Sequence, residues 1–130
     1  MRVLVVDDQR TVRDGLVRLI RNATDLGVRE VRTAATPAEA LREFRVARPD
    51  VVLLDVDLAG EDGLALIPWL VPACRVMVLT SHADAPTRVR AARLGAHVFM
   101  DKTAPASTLL AQLARLLPTS PRLKGDTAPI

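Results

Sequence analysis

A single cysteine, Cys74, leaves no internal disulfide in this chain of 130 residues. It stands just before an apolar run, where a small buried hydrophobe is the ordinary reading rather than a redox group. There is no tyrosine, one tryptophan and only two phenylalanines. Basic stretches are therefore not interleaved with aromatics, as they are in many nucleic-acid binders. No apolar run approaches the ~20 residues that cross a bilayer. No Gly-rich fingerprint follows the first apolar run. Asp7 and Asp8 stand there instead and would repel a pyrophosphate, which argues against a dinucleotide site. His82 and His97 have no metal-like spacing to Cys74, so a zinc site is not expected. The opening residues, Met1 to Asp8, lack a signal-peptide layout, because a short apolar stretch runs straight into acid. The expectation is a cytoplasmic protein that does not engage a membrane.

What is present suits one compact domain. Apolar residues make up 49% and charged residues 25%, enough for a core and too apolar for wholesale disorder. The net charge of +3 rests on arginines spread along the chain at helical spacings, among them Arg13, Arg18 and Arg21, Arg42, Arg45 and Arg48, and Arg88, Arg90 and Arg93. Scattered in this way they read as solvated helix faces, and no direct nucleic-acid contact is expected.

Apolar patterning alternates between strand and helix. Val3 to Val6 is a short run suited to a strand covered on both faces. Val12, Leu16, Leu19 and Ile20 recur at helical spacing. A second strand is predicted near Val28 to Ala34. Thr36-Pro37-Ala38-Glu39 then forms a capping box with proline at the first helical position. Val51 to Leu54 is a third buried strand that runs into Asp55. The segment from Asp57 to Gly63 reads as a loop with two glycines and three acids. Leu64, Ile67 and Leu70 predict a short helix, with Pro68 forcing a late start or a kink. Val76 to Leu79 and Val98 to Met100 predict two more strands. Between them lies a helix capped by Asp84 and ended by Gly95. Pro105 opens a final helix carrying Leu109, Leu113 and Leu116. Residues 118–130 hold three prolines and a glycine and read as a loose tail or the start of a linker.

Five strands alternating with five helices imply a doubly wound parallel α/β sheet. Such sheets bind ligands outside the carboxyl ends of their strands. The residues there are Asp7 and Asp8, Asp55, Thr80 and Ser81, and Lys102. Three packed carboxylates repel one another, and a hard divalent cation relieves that. On this reading Asp8 and Asp55 are direct ligands and Asp7 helps directly or through water. A lysine and a threonine hydroxyl suit phosphoryl oxygens. With metal and lysine in place, a carboxylate can attack phosphorus.

Asp7-Asp8, Asp55-Val56-Asp57-Leu58-Ala59-Gly60-Glu61-Asp62-Gly63, Thr80-Ser81 and Lys102 resemble, in order and spacing, the receiver domains of bacterial two-component response regulators. The resemblance covers residues 1–117. It implies a flavodoxin-like (βα)5 fold with strand order 2-1-3-4-5. It also implies phosphoryl transfer from a histidine kinase or phosphotransfer protein, Mg²⁺, self-catalysed dephosphorylation and no other enzymatic turnover. By the same resemblance Asp55 is the acceptor, and Asp7, Asp8 and the Asp57 backbone carbonyl serve the metal. Thr80 and Lys102 contact the phosphoryl group, and Thr80 and Phe99 form the switch. A homodimer is possible on this reading.

Where the family often has proline this chain has Ala59, which predicts a less rigid loop. Thr103 rather than proline follows Lys102, and Gly95 to Pro105 looks closest to receivers joined to helix-turn-helix output domains. Phe99 lacks the hydroxyl of tyrosine, and reads equally as a core residue. The family also implies a cis Lys102–Thr103 peptide, and water access flanked by Asp57 and His82 with small Ser81 between. Asp57 and His82 read either as a pair that gates water entry in a pH-dependent way, or as two solvated and independent side chains. Two other readings are a small-molecule phosphohydrolase with Asp57 as general acid, and a binding domain that works without phosphorylation.

Overall fold

The computed structural model describes residues 1–118. The tail reading for 118–130 otherwise lies outside the described residues. Strand β1 (Arg2–Val6) leads to α1 (Arg10–Asn22) and a 3₁₀ turn (Thr24–Leu26). Then come β2 (Glu30–Ala34), α2 (Pro37–Ala47) and β3 (Val51–Leu54). A two-residue hairpin (Asp57–Leu58 with Glu61–Asp62) and a 3₁₀ segment (Gly63–Leu66) precede α3 (Ile67–Leu70). The rest is β4 (Arg75–Thr80), α4 (Ala85–Leu94), β5 (Val98–Asp101) and α5 (Ala106–Leu116).

The five strands form one parallel sheet in the order β2-β1-β3-β4-β5, as the sequence pattern and the resemblance implied. Each central strand divides its side chains by parity. Leu4, Val6, Val52, Leu54, Val76 and Val78 belong to one apolar cluster, with residues of α2, α3 and α4. Val3, Val5, Val51, Leu53, Met77 and Leu79 belong to the other, with residues of α1 and α5. The two faces are covered separately, and this is why these strands read as unbroken apolar runs. Each fully buried valine or leucine contributes about 1.5–3 kcal/mol of transfer free energy.

The local signals act as their chemistry requires, with some differences. The Thr36 hydroxyl accepts from Glu39 N, but Glu39 Oε1 accepts from Ala35 N, one residue before the cap. Asp84 Oδ1 accepts from Thr87 N, and Pro86 lies in the first turn of α4. Gly95 ends α4 at φ 110°. A 3₁₀ segment comes first and α3 starts late, so that Pro68 falls in its opening turn, where no intrahelical donor is lost. Strand β2 starts at Glu30, two residues later than predicted. Arg29 N and Glu30 N donate instead to the carbonyl of Met1, and Val28 packs against the α1–α5 layer.

The hairpin stands where a loop was predicted. Ala59 and Gly60 have φ of 56° and 87°, the left-handed pair that closes a two-residue hairpin. Asp57 Oδ1 accepts from Gly60 N at 2.9 Å and holds the turn. Proline cannot take positive φ, so the alanine at position 59 goes with this particular turn. The loop is a hydrogen-bonded turn.

Candidate functional site

Register brings the acids together. Val6 pairs with Leu54 across β1 and β3, so Asp7 and Asp55 leave neighbouring strands at the same level. Asp55 N donates to Val6 O and Asp7 N to Ala34 O, which extends the ladders by one residue on each side. Across β4 and β5, Thr80 pairs with Asp101, and Lys102 N donates to Thr80 O at 2.9 Å. Adjacent strands lie about 4.8 Å apart, so side chains leaving successive strand ends meet.

Carboxylate oxygens of Asp7, Asp8 and Asp55 lie within 4.8 Å of one another. Asp7 and Asp55 are buried, at 2% and 6% exposure, while Asp8 is the most open of the three. Lys102 Nζ sits 2.6 Å from Asp7 Oδ2 and 2.9 Å from Asp55 Oδ2, bridging the two buried acids. The second oxygen of Asp7 accepts from Gln9 N and that of Asp55 from Val56 N. Asp8 has no side-chain hydrogen bond or ion pair among the described residues. Two anchored carboxylates and one open carboxylate make a hard oxygen donor set that fits a small divalent cation.

The electrostatics follow from this packing. Burial holds the Asp55 carboxyl above its ordinary pKa, and the charge of Asp7 adds to the rise. Lys102 and the Val56 N–H pull in the opposite direction without cancelling it. Burial lowers the Lys102 pKa, but its bonds to Asp7 and Asp55 outweigh that and the net shift is upward. The lysine therefore remains a cation.

Thr80 is completely buried, and its hydroxyl oxygen accepts from His82 N at 3.0 Å, which leaves its own proton to donate. Phe99 is half-buried, packs on the α2–α4 side of the sheet, and lies under the Arg88 guanidinium at 4.7 Å. Ser81 and His82 are exposed, with Ser81 Oγ 3.5 Å from His82 Nδ1.

Two expectations are corrected. The Lys102–Thr103 peptide is trans. With a trans bond, Thr103 N donates to Asp101 Oδ1, and the lysine side chain still reaches both acids. Asp57 and His82 are joined by neither a hydrogen bond nor an ion pair among the described residues. The Asp57 carboxylate is turned into its own hairpin.

Three contributors were not singled out from sequence. Gly63 packs so closely that a Cβ there would stand 2.0 Å from the Asp55 carbonyl oxygen. Its N–H donates to Val56 O at 2.7 Å. Arg13 Nη1 donates to the carbonyl of Asp7 at 2.8 Å. Arg90 forms a two-pronged ion pair with Asp62, tying α4 to the segment after Asp55. The Asp-Gly step at 62–63 was a signal for the first. Arg13 and Arg90 looked like ordinary solvated helix positions.

A doubly wound sheet with an acid triad, a buried hydroxyl and a lysine at its carboxyl edge gathers its polar groups where α/β sheets of this class bind ligands. Comparison with known proteins narrows this, because residues 3–114 match the model of the response regulator receiver domain. The chain belongs to that family and is a signalling module of two-component systems. Transcriptional regulatory protein PrrA of Mycobacterium tuberculosis is 35% identical to it, with 98% of this chain and 52% of PrrA aligned. Transcriptional regulatory protein LnrK of Bacillus subtilis is 30% identical, over 85% of this chain and 50% of LnrK. The chain thus spans about half the length of the curated relatives it matches. The BeF3-activated N-terminal receiver domain of Klebsiella pneumoniae RstA superposes with a TM-score of 0.82 at 25% identity, covering 92% of this chain and all of that one. Vibrio cholerae chemotaxis protein CheY4 gives 0.79 at 28% identity, covering 89% and 98%. Among the described residues no helix is long and apolar enough to cross a membrane.

Proposed function

We propose that Asp55 is the phosphoacceptor, loaded from a phosphohistidine on a histidine kinase or phosphotransfer protein. The observation that carries this reading is Lys102 Nζ bridging Asp7 and Asp55. An oxygen of Asp55 attacks phosphorus, the O–P bond forms as the donor N–P bond breaks, and the imidazole leaves and takes a proton from solvent. Asp8 and Asp55, with Asp7 and the Asp57 carbonyl, would hold Mg²⁺, which would supply positive charge to phosphoryl oxygens. Lys102 moves its charge from the carboxylates onto a phosphoryl oxygen, and Thr80 donates its hydroxyl to another. Thr80 and Phe99 carry the change outward, with Arg88 covering the ring. Hydrolysis at the same site resets the module. Asp57, Ser81 and His82 flank the approach of water.

The receiver unit spans residues 1–117 and works in the cytoplasm. Its output is the control of transcription or of a partner protein, through a longer chain or a homodimer. Incubation with a small phosphoramidate and Mg²⁺, followed by intact mass, tests the reading. One phosphoryl adduct is expected. Turnover without an adduct, or no reaction with a folded protein, refutes it.

A further inference from the structure

Away from the acid cluster, at the amino ends of the strands, the fold gathers arginines that the sequence scatters. Two adjoining clefts open there. One, of about 620 Å³, is lined mainly by polar groups of Arg75, His97 and Arg115, with Val71 and the largely buried Leu117 as minor apolar contributors. The other, of about 430 Å³, is lined by Arg45, Arg48, Phe44 and Pro49. Asp50 and Ala73 line both. Asp50 is the only acid among the lining residues, and its Oδ2 accepts from Arg2 N. All four arginines are exposed and lack an ion-pair partner among the described residues. Burial, then Arg75, lowers the His97 pKa, and its Nδ1 accepts from Val76 N.

Compensation of helix dipoles accounts for Arg45 and Arg115, which lie in the last turns of α2 and α5. It does not account for Arg75, which opens a strand. Arg48, the C-cap of α2, is favoured by the same dipole, although it holds φ 49°, where glycine fits with less strain. These are concave recesses, whereas the phosphate backbone of a duplex lies on a convex rod. The charge of residues 119–130, with Arg122, Lys124 and Asp126, is also of the wrong sign to fill them.

We propose that this amino-edge surface docks an acidic protein segment bearing apolar side chains. Its carboxylates engage Arg45, Arg48, Arg75 and Arg115, and its apolar groups lie against the half-buried Val71 and Phe44. The surface is separate from the carboxyl-edge chemistry, so docking and phosphoryl transfer can occur on one molecule.

The test uses the full chain and a fluorescein-labelled peptide of repeating Glu-Glu-Leu, read by anisotropy at physiological salt. Polyglutamate of equal length and a duplex DNA serve as competitors. Saturable peptide binding is expected, tighter than polyglutamate, with amide shifts at Ala73, Arg75 and His97. Arg75→Gln/Arg115→Gln should weaken it at least ~10-fold, which is about 1.4 kcal/mol. Arg10→Gln/Arg18→Gln on α1, with the same change in net charge, should leave it intact. Equal losses in both double variants, no saturable binding, or tighter binding of the duplex would overturn the proposal. So would a dimer in sedimentation that only Arg75→Gln/Arg115→Gln dissolves, because the occupant would then be a second copy.

Discussion

Lys102 Nζ reaches Asp55 Oδ2 at 2.9 Å across 47 residues of sequence, and the same ammonium touches Asp7 at 2.6 Å. One cation thus lies between two buried carboxylates and offsets part of their mutual repulsion. Lys102→Met should lower the rate of phosphoryl uptake from a small donor by about 100-fold, the usual cost of removing one charge-stabilising donor. The rate of adduct appearance by intact mass is the measurement, and a parent-like rate would remove Lys102 from the site.

Asp55→Asn should abolish the adduct altogether, because an amide is not a nucleophile toward phosphorus. Peptide mapping decides it. A phosphoryl group still found at the end of β3 would mean that another side chain is the acceptor.

Asp8→Ala should remove most Mg²⁺ affinity from the unphosphorylated protein, since Asp8 is the one carboxylate of the cluster not already committed. Amide shifts of Asp7 to Gln9 and Val56 are the suitable readout. Trp69 is 70% exposed on α3, and its fluorescence is a poor reporter of the cluster. An unchanged titration curve would rule out this ligand set.

The segment after Asp55 supplies a pair of opposite backbone predictions. Gly63→Ala should destabilise the fold by roughly 1–3 kcal/mol, because its Cβ would stand 2.0 Å from the Asp55 carbonyl oxygen. Ala59→Gly should stabilise by up to about 1 kcal/mol by relieving the left-handed alanine at φ 56°. Urea midpoints at constant slope measure both. An Ala59→Pro variant more stable than the parent would disprove the hairpin.

His97 should make stability depend on pH. Burial, then Arg75, lowers its pKa below the ordinary 6.5. In the window between 6.5 and that lower value the unfolded chain binds a proton that the folded chain refuses, so stability falls as pH falls. The contribution is complete above about 6.5 and is lost on acidification. His97→Gln should flatten this part of the profile of unfolding free energy against pH. Parallel profiles in the two proteins would show that burial and Arg75 do not shift the ring.

Much of the fold was legible in sequence, because its signals are local. A strand covered on both faces needs an unbroken apolar run, as at Val51 to Leu54. A proline-bearing helix such as α3 has to place Pro68 in its first turn. The same locality exposed Asp7, Asp8, Asp55, Thr80 and Lys102 as strand-end residues, and the resemblance assigned their roles. What the sequence could not decide was contact between distant segments. That Lys102 bridges Asp7 and Asp55 depends on strand order and register. That Asp57 turns to Gly60 rather than to His82 depends on a hairpin closed by two residues of positive φ. That Gly63 supports the Asp55 carbonyl depends on how closely two backbones approach. The arginines show the limit most plainly. In sequence they are helix-spaced surface charges, and the parallel topology carries Arg45, Arg48, Arg75 and Arg115 to one end of the sheet, because every strand begins at that end and the preceding helices finish there.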